Sequence, residues 1–127
     1  MKINIENGLP IISVKLKYND KMMTLKQVLI DTGSSNTIFD TDLVQEIGLS
    51  IDPTYGKARR MYGVGGESEL CYEQPVSNLE IYSYLLDNFL IQLGITRETY
   101  GFDGIIGTDF IEKNQLILDF KKMVVYT

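Results

Sequence analysis

The sequence predicts an all-β domain carrying one or two short helices, and three observations predict it. Residues 10–18 alternate, with Ile12, Val14, Leu16 and Tyr18 on one side and Ser13, Lys15 and Lys17 on the other, which is the period of a half-buried strand. Two β-prone arms over residues 57–74 flank Gly63-Val64-Gly65-Gly66, and residues 79–93 are rich in Leu, Ile, Tyr and Phe. Helical spacing is confined to two short stretches. The 127 residues fit a single domain, 1–127, because a split would leave two halves with thin cores. With 44% apolar and 23% charged residues and only 3 Pro, the composition is that of a folding globular chain.

Taken in order, the first strand turns at Asn19-Asp20, and the second, Met22 to Ile30, ends in three consecutive apolar residues. Such an ending suits a strand buried on both faces, so Asp31 is expected to be carried inward. Thr37-Ile38-Phe39 is again extended. Asp40 or Thr41 then caps a short helix whose Leu43, Val44 and Ile47 share a face and which Gly48 ends. Its Asp40, Asp42 and Glu46 are read as helix start and solvated face. Residues 57–74 form a long hairpin with its tip at Gly63 to Gly66, and residues 79–93 one or two further strands. Asp103 to Gly107 encloses a short apolar strand, Ile105-Ile106. Thr108 caps a second helix over Asp109 to Lys113, and Asp103 and Asp109 are read as turn and helix-start residues. Leu116 to Phe120 and Met123 to Tyr126 close the chain as two strands joined by Lys121-Lys122. No repeat or low-complexity tract divides it.

Function classes fall away on composition. With no histidine, every mechanism needing an imidazole base is excluded, as are zinc sites built on His. The single Cys71 has no partner for an intrachain disulfide and no base to activate it, so it is read as a small strand residue in a reducing compartment. A net charge of −5 with scattered Lys and Arg argues against nucleic acid as a partner. No apolar run reaches membrane-spanning length and no signal-peptide pattern opens the chain, so no membrane partner and a cytoplasmic location are expected. Neither a metal nor a cofactor is called for.

What remains is Asp31-Thr32-Gly33, directly after Val28-Leu29-Ile30 and followed by Ser34-Ser35. With the glycine hairpin at Met61 to Gly66 and Ile105-Ile106-Gly107 ahead of a helix, these pieces, in this order, resemble the retropepsin-like family of single-domain aspartic proteases. The resemblance spans most of the chain. It implies a closed, barrel-like acid-protease fold paired as a symmetric homodimer, in which each subunit gives one catalytic Asp31. It further implies that Thr32 joins the two active-site loops across the axis and that Gly33 permits a tight turn. Met61, Tyr62, Gly63, Val64, Gly65 and Gly66 would form a flap over an extended polypeptide substrate, with Ile38, Val64, Ile105, Ile106 and Gly107 as cleft wall. A Ser34 hydroxyl donating to the Asp31 carboxylate would favour its charged form.

Two features depart from the family. Viral members commonly follow the apolar-Gly element with Arg-Asn or Arg-Asp, whereas this chain has Thr108-Asp109 and lacks that arginine. Ser34-Ser35 is closer to pepsin-like wording, yet the chain is too short for two lobes. Beside an aspartic endopeptidase acting as a homodimer stands one alternative, a noncatalytic peptide-binding or dimerisation module of the same fold.

Overall fold

The computed structural model describes residues 1–62 and 68–127, with side chains left aside at positions 61, 62, 68 and 69. Gly63, Val64, Gly65 and Gly66 of the expected hairpin tip therefore lie outside the described residues. Of Met61 and Tyr62 only the backbone is described.

The chain begins with two hairpins whose turns are written in the sequence. Strands β1 (Asn4–Glu6) and β2 (Leu9–Tyr18) meet through Asn7-Gly8, and β2 meets β3 (Lys21–Ile30) through Asn19-Asp20. All four turn residues have positive φ, between 48° and 79°, the requirement of a two-residue turn matched to strand twist and one that Asn, Asp and Gly meet most cheaply. A register shift between Ile12 and Val14 lets β2 bend while keeping Ile12, Val14 and Leu16 in the core.

Short β4 (Ile38–Asp40) leads into helix α1 (Thr41–Val44) and a 3-10 turn at Gln45–Ile47, which stops at Gly48 with φ 87°. The long hairpin is present as β5 (Lys57–Tyr62) and β6 (Ser68–Val76). Residues 79–93, expected to hold one or two strands, hold three: β7 (Leu79–Ile81), β8 (Tyr84–Leu86) and β9 (Phe89–Gly94). Tyr82 and Asn88, both with positive φ, break the apolar run between them. Helix α2 (Thr96–Tyr100) was not foreseen. Strand β10 (Gly104–Ile106), helix α3 (Thr108–Lys113) and the antiparallel pair β11 (Ile117–Asp119) and β12 (Val124–Tyr126) complete the chain, with one correction: Gly107 is the N-cap of α3 and Thr108, expected to cap it, is its first residue.

Ten strands form one sheet in the order β5-β6-β9-β4-β10-β3-β2-β7-β8, with β1 on β2. Its middle is built from parallel pairs, β3 with β10 and β4 with β9, joined by antiparallel β10 and β4. The domain is thus mostly β with a few short helices. The expected closure into a barrel is not seen among the described residues, whose ladder is an open path ending at β5 and β8. No helix among the described residues is long and apolar enough to cross a membrane.

One large core lies on one face of this sheet, with Val28, Ile30, Phe39, Ile91, Leu93, Ile106 and Phe110 inside it. Phe110 reaches it from α3 and meets Tyr84 edge to face at 5.9 Å. A smaller cluster, Ile38, Cys71 and Ile105 with Leu29, occupies the opposite face. Phe39 is fully buried where β4, β9 and β10 meet. Phe39→Ala is expected to lower stability by about 3–5 kcal/mol, seen as a reduced denaturation midpoint with an unchanged denaturant slope.

Candidate active site

Asp31 is placed by the parallel pair at the centre of the sheet. Ile30 is the last residue of β3, and the Asp31 N–H extends the ladder by one bond to the Ile106 carbonyl, 2.9 Å away. Successive strand residues point to opposite faces and directly paired residues share one. Val28 and Ile30 face the large core, so Leu29, paired with Ile105, and Asp31 face the other way, toward the smaller cluster. Asp31 is half-buried at the rim of the sheet, not carried inside as the apolar run suggested. The reason is that Asp31 lies one residue past the end of β3, beyond the small buried cluster of Ile38, Cys71 and Ile105 that Leu29 packs against.

The turn that follows is tight and local. The Ser34 N–H donates to the Asp31 carbonyl at 3.1 Å, and the Gly33 N–H donates to Asp31 Oδ1 at 2.9 Å, fixing the carboxylate. Gly33 does not have positive φ; what it supplies is space, since a Cβ there would lie 3.2 Å from Asp31 Oδ1. Thr32 and Gly33 are exposed beside the carboxylate. The expected Ser34 contact is corrected: its hydroxyl donates to the Asn36 carbonyl at 2.9 Å, and a hydroxyl has one proton to give. Ser34 thus shapes the turn and leaves the Asp31 carboxylate to Gly33.

The far end of the loop is clamped from α3. Thr37 is fully buried, and Asp109 takes both its backbone N–H at 3.0 Å and its hydroxyl at 2.7 Å. Thr37 Oγ1 in turn accepts the Gly107 N–H at 3.1 Å. The Thr108 N–H and hydroxyl both donate to the Ser34 carbonyl, at 2.9 and 3.2 Å, so the residue standing where viral relatives have arginine serves the loop of its own chain. Gly107 is required by close approach: a Cβ there would lie 2.6 Å from the Asn36 carbonyl oxygen and 2.8 Å from that of Ser34. Loop 31–37 is thereby held at both ends by residues 106–109. Asp109 also accepts the Phe110 N–H, the helix-start role read from sequence, but its hold on Thr37 was missed. No local pattern announces a bond between residues 72 positions apart.

Of the expected cleft wall, Ile38 and Ile105 lie on the Asp31 face, while Ile106 is a correction, packing in the large core. Alternation requires this, since Ile105 and Ile106 are neighbours on one strand. Val64 lies outside the described residues. Cys71, on β6, is buried in the same small cluster; burial first and the Glu73 charge second push its thiol above the ordinary range, so it stays protonated and inert at neutral pH.

Asp40 is a further correction. It does stand at the N-cap of α1, as expected, but its side chain neither caps that helix nor faces solvent: it is 4% exposed, and its Oδ1 accepts the N–H groups of Thr96 and Arg97 at 2.9 and 3.0 Å, capping α2 from a different strand. The signal for α2 was available, with Thr96 opening a short run that Gly101 closes at φ 83°. Asp103 is a fold residue, accepting the N–H groups of Lys26 and Gln27 and pairing with Arg97 at 3.4 Å. No cluster of three or more metal-ligating side chains occurs among the described residues.

The family model described as aspartyl protease matches residues 14–110, which hold both β3 with its loop and β10. No curated protein matches the chain. Among solved structures, a retropepsin-like aspartic protease from Rickettsia conorii is similar with a TM-score of 0.63 at 17% identity, over 98% of this chain and 86% of that one. The retroviral protease-like domain of Ddi1 from Leishmania major is similar with a TM-score of 0.53 at 17% identity, over 91% and 85%. At that identity the two structures speak for the retropepsin-like fold.

Thr37→Val keeps shape but strands the Gly107 N–H and removes the hydroxyl donor from Asp109 Oδ1, which keeps the residue-37 and Phe110 amides. It is expected to cost about 1–3 kcal/mol in chemical denaturation and to loosen loop 31–37, read as faster hydrogen exchange at the Asp31 and Thr108 amides.

Proposed function

The chain belongs to the aspartyl protease family and is a peptidase of the hydrolase class, and from that premise we propose that it works as a homodimer in which each subunit gives one Asp31 to a shared site. The observation that carries the reading is that one chain offers half of the chemistry. Its single Asp-Thr-Gly follows the end of β3 at the rim of the sheet, with Thr32 and Gly33 exposed beside a half-buried carboxylate. Among the described residues Gly33 alone donates a hydrogen bond to the Asp31 side chain, through Oδ1. That leaves Oδ2 for a second carboxylate and a water.

Two such carboxyl groups brought together cannot both ionise cheaply, so the pair holds one proton. The ionised member takes a proton from a water lying between them. The protonated member donates to the scissile carbonyl oxygen, and a tetrahedral intermediate forms without a covalent enzyme adduct. Thr32 hydroxyls meeting across the twofold axis would fix the two loops, and the clamp from Thr37 to Asp109 stiffens each from behind.

The substrate in this reading is an extended polypeptide, laid along the face that carries Leu29, Ile105 and Ile38 and covered by the β5–β6 hairpin with Met61 to Gly66 at its tip. Three glycines in the sequence Gly63-Val64-Gly65-Gly66 suit a cover that must bend over different side chains. Because Thr108 occupies the position of the viral arginine, the subunits are held by other surface. Exposed Ile5, Ile117 and Tyr126 on the terminal strands β1, β11 and β12 supply apolar area for it.

The purified protein should sediment with the mass of two chains and cut unfolded polypeptide in mildly acidic solution, within about pH 3 to 7 where carboxylate pairs titrate. Asp31→Asn should reduce cleavage at least about a thousandfold while dimer mass and peptide binding are kept, because the change removes proton transfer and spares shape. A parent protein that binds peptides yet cuts none would instead favour the noncatalytic module. Since the Ser34 hydroxyl serves Asn36, Ser34→Ala is expected to leave the midpoints of the pH–rate profile where they are; a displaced acid limb would overturn that assignment.

A further inference from the structure

The face of the sheet that carries Asp31 is not apolar throughout. Beyond Ile38 it continues into a chain of polar side chains whose strand pairings put them side by side: Ile38 pairs with Gln92, and Gln92 with Glu73. Arg59 pairs with Cys71, two residues from Glu73 on the same face. Gln92 is 4% exposed, and its Nε2 donates to Glu73 Oε2 at 3.3 Å. Glu73 Oε1 meets Arg59 Nε at 3.4 Å.

One group in this chain is incomplete. Gln92 Oε1 is buried with no hydrogen-bond partner among the described residues, which native interiors rarely tolerate. The amide cannot escape by turning over, because that would face its oxygen toward the Glu73 carboxylate and leave the NH2 group without its acceptor. The large core does not use this side chain: Gln92 lies on the opposite side of β9 from the core residues Ile91 and Leu93, and its backbone N–H pairs with the Thr37 carbonyl at 3.0 Å. Glu73 is also poorly served, its side chain 15% exposed and its cationic partner held by a single contact from an arginine that is 55% exposed. Such a pair is cheaply opened.

We propose that Gln92 and Glu73 form a specificity pocket that takes a substrate side chain ending in a hydrogen-bond donor, an amide or an ammonium, at one position of the bound peptide. The donor's N–H groups go to Gln92 Oε1 and to the Glu73 carboxylate as Arg59 swings aside. A side chain ending in a carboxylate is rejected by Glu73, and an apolar one leaves Gln92 Oε1 unpaired, which is how a polar site discriminates most strongly. The pocket deepens the proposed function and rests on the same peptide-covered face.

Binding to the Asp31→Asn protein tests it without relying on hydrolysis. Fluorescence anisotropy is measured with labelled peptides identical except at one position, which carries Gln, Lys, norleucine or Glu in turn, the position being moved along the peptide. At one position Gln and Lys are expected to bind about tenfold tighter than norleucine, and Glu more weakly still. Gln92→Met in the Asp31→Asn background should bring Gln and norleucine within about twofold, and Glu73→Gln, which keeps the shape, should weaken the Lys peptide more than the Gln peptide and restore binding of the Glu peptide toward that of norleucine. Absence of binding, binding without a donor preference at any position, or a preference unaltered in both variants overturns the pocket. A donor preference in a protein whose parent cuts none of these peptides would support the pocket while removing the hydrolytic reading; cleavage without the preference would do the reverse.

Discussion

The parallel pairing of β10 against β3, closed off by the bonds of Asp109 to Thr37, is the constraint on which the site depends. It holds the carboxylate-bearing loop at its start, through the Asp31 N–H to Ile106, and at its end, through Thr37. Between those anchors only the Gly33 and Ser34 amides are needed to set the carboxylate. A loop fixed at two ends by hydrogen bonds has little freedom left to lose when a partner or substrate arrives, the condition for a pre-organised group. Gly107 makes the arrangement possible, because the two segments approach more closely than any side chain permits.

The same pairing divides the molecule into a side that folds it and a side that uses it. Val28, Ile30, Phe39, Leu93 and Ile106 bury one face of the sheet in the large core. Leu29, Ile38 and Ile105 turn to the other, where the described residues form only a small cluster around Cys71. The large core and the Asp31 face are therefore supplied by alternate residues of the same strands, and a one-residue slip in β10 would exchange them. The polar chain from Gln92 through Glu73 to Arg59 lies on the second side, away from the large core.

Much of this was legible locally. Asn19-Asp20 announces a two-residue turn because few other residues adopt positive φ twice in succession, and Asp-Thr-Gly after an apolar run announces a carboxylate on a tight loop. The two foreseen helices are short, and their stops at Gly48 and near Lys113 follow from glycine and from the end of the apolar spacing. Less legible were α2, whose cap comes from Asp40 on another strand, and the third strand in residues 79–93, which depends on Tyr82 accepting an unusual backbone conformation. Ser34 was assigned by proximity in sequence to Asp31, and the turn it makes directs its hydroxyl to Asn36 instead.

By itself the sequence determined that the chain folds as a β-rich domain and that Asp31 is its one candidate for acid-base chemistry, because alternation, turn chemistry and the absence of histidine are local or compositional facts. The tertiary structure decided which apolar residues share the carboxylate's side of the sheet, that Ile106 does not, that Asp40 and Asp109 are anchors, and that Gln92 Oε1 has no partner among the described residues. Those outcomes depend on strand register and on bonds between residues 56 to 72 positions apart, and such distances leave no mark in the neighbouring sequence.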